Sequence, residues 1–174
     1  MLEVRDGSQE AFERLFDGHR ADVYRFFRRR IPDAARAEEL AHDVFVVLLQ
    51  NARRYEPRSA FRSYLFGIAY NLLMNERRKR PFPDAGPAVE DVAAAAGDPD
   101  ASLWVRRALA TLEPSAREMV MLREYEHLSY QDIADLLKIP LNTVRTRLFR
   151  ARMELKSALT ATAGAPVQVT HDNH

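Results

Sequence analysis

Between Leu141 and Lys156 the sequence sets five basic side chains against a single acid, Glu154. Leu141, Val144, Leu148, Ala151 and Leu155 recur at spacings of three and four, which on a helix makes one apolar stripe. Off that stripe lie Asn142, Thr143, Arg145, Thr146, Arg147, Phe149, Arg150 and Arg152. A helix fits the DNA major groove, where Arg forks to guanine edges and Asn or Thr reads adenine or anchors phosphate. Arg145 and Arg150 are the expected base or phosphate contacts, and Arg147 and Arg152 are expected to touch phosphate. A second constellation is Tyr64, Asn71, Asn75 and Arg78, on one side of a helix predicted from Ser59 to Arg80, with Tyr55 and Phe61 just upstream. Rings interleaved with amides and followed by basic residues suit single-stranded nucleic acid, whose bases stack and present their edges. By residue type alone, a basic run also serves as a solvated face, and aromatics at helical spacing also serve as core.

Other chemistries find little support. Glu38, Glu39 and Asp43 gather carboxylates on one helix, but no histidine or further acid completes a metal or acid–base site, so a solvated or protein-docking face is expected. His19, His42 and His127 are isolated, and His171 and His174 lie in the tail. There is no cysteine, hence no disulfide framework, thiolate metal site or thiol nucleophile. No glycine-rich phosphate loop or Ser/His/Asp arrangement is evident, so neither an enzyme nor a cofactor is expected. The longest apolar run, Val44 to Leu49, falls far short of the roughly 20 residues that span a bilayer. The first residues are too charged for a signal peptide, and a cytoplasmic location follows as the expectation.

These side chains need helices to position them, and helical periodicity dominates the chain. Phe12, Leu15, Phe16, Val23, Phe26 and Phe27 share one face of a first segment, with Ser8 as N-cap; Gly18 leaves one helix or two open. Leu40, Val44, Val47 and Leu48 mark a second helix, and Phe61, Leu65, Ile68 and Leu72 a third, for which Ser59 is the expected cap. Pro114 breaks a helix around Trp104 to Leu112, and another runs from about Ser115 to Tyr125. Ser129-Tyr130-Gln131-Asp132 reads as a capping box, and Lys138-Ile139-Pro140 as the turn of a helix-turn-helix.

The formal net charge of +1 conceals an asymmetry. Residues 1–80 carry 16 basic and 12 acidic side chains, residues 81–101 none and 5, and residues 102–174 10 and 8. The middle stretch, with four prolines and an alanine run, reads as a flexible linker. The expected architecture is therefore all-α. Two small helical domains, residues 1–80 and 102–160, are joined by the acidic connector 81–101 and followed by a disordered tail, 161–174.

The chain resembles bacterial RNA polymerase sigma factors of the extracytoplasmic-function subfamily, over roughly residues 8 to 158. The resemblance rests on Ala37-Glu38-Glu39-Leu40-Ala41-His42-Asp43-Val44-Phe45, on the run from Phe61 to Asn71, on Ser129 to Ala134, and on Ile139 to Arg152. It implies a region-two helical bundle followed by a region-four helix-turn-helix. Glu38, Glu39, Asp43 and Phe45 would then help dock the β′ clamp of core RNA polymerase, and region four would meet the β flap. Tyr55, Phe61, Tyr64, Asn71, Asn75 and Arg78 would open the minus-ten element and hold its flipped base. Asn142, Thr143, Arg145, Thr146, Arg147, Phe149 and Arg150 would read the minus-thirty-five element as duplex. An anti-sigma factor is a further implied partner. In this sequence Lys138 and Asn142 stand where the family often has glycine, and Tyr64 where tryptophan is frequent. A stand-alone helix-turn-helix regulator, binding as a dimer, is the alternative; an RNA-binding adaptor would leave the helix-turn-helix unexplained.

Overall fold

The computed structural model describes residues 1–80 and 99–163, and every regular element among them is helical. A short α1 (Leu2–Arg5) precedes α2 (Gln9–Arg28), α3 (Ala34–Gln50), a 3-10 turn (Ala52–Arg54) and α4 (Phe61–Lys79). These form the first module. The second contains α5 (Pro99–Thr111), α6 (Pro114–Glu124), α7 (Tyr130–Leu137) and α8 (Leu141–Ala163).

The helix ends follow local chemistry. The Ser8 hydroxyl accepts from the Ala11 amide, and Asp33 accepts from the Ala35 and Arg36 amides, so α2 and α3 begin on side-chain caps. Gly18 does not interrupt α2, which runs unbroken for 20 residues. Ser59 does not cap α4: that helix starts two residues later, from Ala60, with no side-chain cap. The capping box is present, with the Asp132 carboxylate accepting from the Ser129 amide and the Ser129 hydroxyl from the Asp132 amide. α5 begins at Pro99, inside the stretch expected to be linker. The rest of that connector and the tail beyond residue 163 lie outside the described residues.

In the first module α2, α3 and α4 pack around Phe26, Phe27, Val44, Leu48, Leu65, Phe66 and Leu73, all of them buried. Arg36 of α3 holds Glu76 of α4 through two hydrogen bonds, Nε to Oε1 at 2.9 Å and Nη2 to Oε2 at 2.7 Å. These bonds keep the Glu76 carboxyl below the usual carboxylate range against the opposing effect of burial. In the second module α8 is the spine, touching α5, α6 and α7 and burying Val144, Leu148 and Ala151. Arg117 of α6 caps the end of α5 by donating to the Leu109, Ala110 and Leu112 carbonyls. The turn between α7 and α8 places Lys138 in the left-handed region, at φ 55° and ψ 45°, the conformation that favours glycine.

The two modules are packed together, and buried apolar contacts run continuously from one into the other. Arg29 and Arg30, at the end of α2, meet Glu118 and Glu126 of the second module.

Candidate functional site

α4 positions the first candidate surface. Tyr64, Asn71 and Asn75 line a cavity of about 530 Å³ together with Val47 and Asn51 from the end of α3, Arg54 of the 3-10 turn, and Ile68 and Leu72. Helical spacing explains the grouping, because residues 64, 68, 71, 72 and 75 share one face at intervals of three and four. Asn71 and Asn75 are exposed, with amides able to read a base edge. Arg78 donates to the Asn75 side-chain oxygen, which sets that amide's orientation.

Two of the predicted members stand elsewhere. Tyr55 is only 6% exposed, and its ring meets that of Tyr64 edge-on at 5.0 Å. It therefore supports the Tyr64 ring from behind and does not itself face a base. Burial and the neighbouring Tyr55 push the Tyr64 phenol up, so it is a neutral ring and hydrogen-bond donor at ordinary pH. Phe61 lies outside the cavity, packed on His19 at 5.3 Å between ring centroids.

Asn51 and Arg54 were missed by sequence reasoning. Asn51 donates to the Val47 carbonyl at 2.9 Å and closes α3, a role its position at the end of an apolar stripe foreshadows. Arg54 reaches the cavity only because the chain turns tightly after α3, and residue spacing gives no sign of that.

α8 presents the second surface, in two parts. Asn142, Arg145 and Phe149 follow one another at helical spacing, with Asn142 accepting from Arg145 at 3.3 Å. Phe149 is 66% exposed, with Met153 one turn further on, so its ring is offered outward and not packed. Thr146 is also exposed but bonds its hydroxyl to the Asn142 carbonyl; Thr143 is half-buried. Arg147 and Arg150 face another way, toward the start of α6, where they share an open cleft of about 360 Å³ with Glu113, Ser115 and Ala116. The Glu113 carboxylate accepts from the Ala116 amide and the Ser115 hydroxyl, and these bonds with nearby Arg147 hold its carboxyl below the usual range. Arg152 departs from the expected phosphate role. It donates to Glu124 at 2.7 Å and to the Tyr130 hydroxyl at 2.8 Å, stapling α8 to α6 and α7.

The acidic stretch on α3 also divides. Glu38, His42 and Phe45 line a groove of about 400 Å³ opposite Phe16, Arg20 and Tyr24 of α2. Phe45 is only 2% exposed and meets Phe16 edge-on at 4.8 Å, so it forms the floor of the groove and not a protruding anchor. Glu39 is engaged by Arg36 at 2.6 Å, and Asp43 is exposed away from the groove. The α2 wall was not anticipated; its signal is the matched spacing of residues 16, 20 and 24 against 38, 42 and 45. Among the described residues no cluster of three potential metal ligands occurs, and no helix is long and apolar enough to cross a membrane.

The family described as Sigma-70 region 2 matches residues 15–81, and that described as Sigma-70, region 4, matches residues 102–155. The chain is 36% identical to RNA polymerase sigma factor CarQ of Myxococcus xanthus, over 91% of this chain and 95% of that protein. It is 30% identical to the RNA polymerase sigma-H factor of Pseudomonas aeruginosa, covering 90% of each. To the ECF RNA polymerase sigma factor SigW of Bacillus subtilis it is 27% identical, over 90% of this chain and 93% of that one. Among solved structures, the sigma factor RpoE in complex with the anti-sigma factor NepR from Bartonella quintana shares the fold. Its TM-score is 0.69 at 23% identity, over 87% of this chain and 98% of that one. CnrH in complex with the cytosolic domain of CnrY gives a TM-score of 0.66 at 23% identity, over 91% and 94% respectively.

Proposed function

The chain belongs to the RNA polymerase sigma factors of the extracytoplasmic-function (ECF) subfamily, and on that premise we propose how its surfaces divide the work of promoter recognition and opening. The first module, residues 1–80, binds core RNA polymerase and the minus-ten element. The α2–α3 groove with Glu38 at its rim and Phe45 at its floor takes the β′ clamp. The cavity of Tyr64, Asn71 and Asn75, extended by Asn51 and Arg54, holds a base released from the non-template strand, with Tyr55 buttressing Tyr64 and Arg78 orienting Asn75. The second module, residues 102–160, reads the minus-thirty-five element as duplex. Asn142, Arg145 and Phe149 face base edges, and Arg147 and Arg150 grip backbone phosphate beside the start of α6. The polymerase supplies the active site, so this chain is not itself catalytic, and its place is the cytoplasm. An anti-sigma factor is a further partner, as NepR is for the sigma factor RpoE, which shares this fold.

The observation that carries this reading is the pairing of two unlike surfaces. One is an open cavity lined by asparagine amides and the Tyr64 ring, the other a basic helix-turn-helix face. A stand-alone regulator would need only the second. The test is run-off transcription with core enzyme. Wild-type protein should start transcripts from a cognate promoter, and Asn71→Ala should reduce open-complex formation while leaving core binding intact. A chain that binds core polymerase in no assay would sink the proposal, whatever its affinity for DNA.

A further inference from the structure

α1 is a single turn of four residues, far below the length at which a helix holds itself in water, so its shape depends on what it is fastened to. The fastening starts at its end. The Gly7 amide donates to the Val4 carbonyl at 3.1 Å and the Ser8 amide to the Glu3 carbonyl at 2.9 Å, the paired bonds of a Schellman turn. Gly7 stands at φ 96°, where a side chain would be strained. Ser8 at once caps α2 by accepting from the Ala11 amide, so no slack residue separates the two helices. The single turn is thereby set at a fixed angle to α2.

The corner aims Val4 at the 3-10 turn. Val4 is 6% exposed, and with Ala11 of α2 and Ala52 of the turn it forms a small apolar cluster apart from the main core. Ala52 follows Asn51 and precedes Arg54 by two residues, and both of these line the α4 cavity. The buried apolar partners of Ala52 are Val4 and Ala11, not the α3–α4 core. The turn's own bonds are few: the Arg54 amide donates to the Asn51 carbonyl and the Tyr55 amide to the Ala52 carbonyl, each at 3.0 Å. Residues 56–60 beyond it are exposed and belong to no helix.

Arg54 has no anchor of its own. It is exposed, and its guanidinium bonds to no other side chain among the described residues, so the backbone of the turn decides where it reaches. A displacement of about 1 Å is enough to take a donor out of hydrogen-bond range. Asn51 is held separately by its bond to the Val47 carbonyl, so a loosened turn acts mainly on Arg54. We propose that α1 is a positioning strap for the minus-ten cavity, in which Val4, held over Ala52 by the Gly7 corner, fixes the turn and through it the reach of Arg54. The hold on the turn is a property of the chain itself; its effect on base capture rests on the sigma-factor reading above.

Hydrogen exchange followed by NMR reads the turn directly. In Val4→Ala the Arg54 and Tyr55 amides should exchange about tenfold faster, while amides in the middle of α4 keep their rates. Gly7→Ala, which strains the corner without touching the cluster, should do the same, and Val4→Ile, which refills the contact, should keep exchange slow. Single-round run-off at saturating core enzyme, from a promoter mapped with the wild-type protein, reads the consequence. Arg54→Ala should slow initiation about tenfold, the worth of one hydrogen bond to a charged group, and Val4→Ala several-fold. In the Arg54→Ala background Val4→Ala should add nothing, whereas a loss of general stability would add in full. Unchanged exchange in both Val4→Ala and Gly7→Ala overturns the strap. So does faster exchange with initiation untouched, or a full additional loss in the double variant. Faster exchange in a chain whose wild type starts no transcript would leave the hold on the turn standing and count against the sigma-factor reading instead.

Discussion

Salt dependence can separate the arginines of α8 that face DNA from the one that holds the fold. Arg147 and Arg150 are exposed and form no salt bridge among the described residues, whereas Arg152 spends its donors on Glu124 and Tyr130. Each phosphate contact contributes about 0.9 to the slope of log affinity against log salt concentration. Replacing Arg147 and Arg150 together by alanine should therefore flatten that slope by about 1.8. Between 50 and 200 mM salt, about 0.6 of a decade, the wild-type loss of affinity should exceed the variant's by about 12-fold. Arg152→Ala should leave the slope unchanged. Its cost should fall on stability instead, at most about 1 kcal/mol, because the pair with Glu124 is exposed. Fluorescence anisotropy with a labelled duplex, titrated at four or five salt concentrations, measures all three proteins. An unaltered slope in the double variant would refute the assignment of Arg147 and Arg150 to phosphate. Equal flattening in Arg152→Ala would show that its contacts with Glu124 and Tyr130 yield to DNA.

Two further outcomes test the fold that carries these surfaces. Lys138→Gly should stabilise the protein by about 0.5–1 kcal/mol, since the left-handed conformation costs an L-residue about 1–2 kcal/mol and glycine's greater freedom when unfolded takes part of that back. A thermal melt should rise by about 1–4 °C, and no rise would mean that the turn relaxes around lysine without strain. Arg36 holds the Glu76 carboxyl below its unfolded value, so this pair stabilises the fold above the ordinary carboxylate range, near about pH 4.3, and loses that contribution as pH falls through the lowered folded value. Urea midpoints measured from pH 6 down to pH 3 should fall less steeply for Glu76→Gln than for wild type; identical profiles would exclude Glu76 as a source of the acid sensitivity.

The sequence alone determined the longer helices, their order and the two faces, though not the short α1 or the 3-10 turn. Three-and-four spacing is a local geometric property, so Val144, Leu148 and Ala151 had to be buried if α8 formed, and Arg145, Arg147 and Arg150 had to point away from them. The capping box at Ser129 and Asp132 and the strained turn at Lys138 were legible for the same reason, since each involves residues within a few positions of one another. The start of α4 was less legible, because Ser59 is an apt cap by type while the chain enters the helix from Ala60.

Only the tertiary structure decided which side chains are spent on the protein itself. Tyr55 and Arg152 have the right types for nucleic acid, yet one is covered by Tyr64 and the other is taken up by Glu124 and Tyr130. The same holds for the charge balance between the modules. Arg29 and Arg30 look like part of a basic surface, and Glu126 like one more solvated acid, until folding brings together residues 96 and 97 positions apart. Helical spacing cannot encode such a meeting, because it depends on how two separately patterned bundles pack, and burial then turns ordinary surface charges into paired ones.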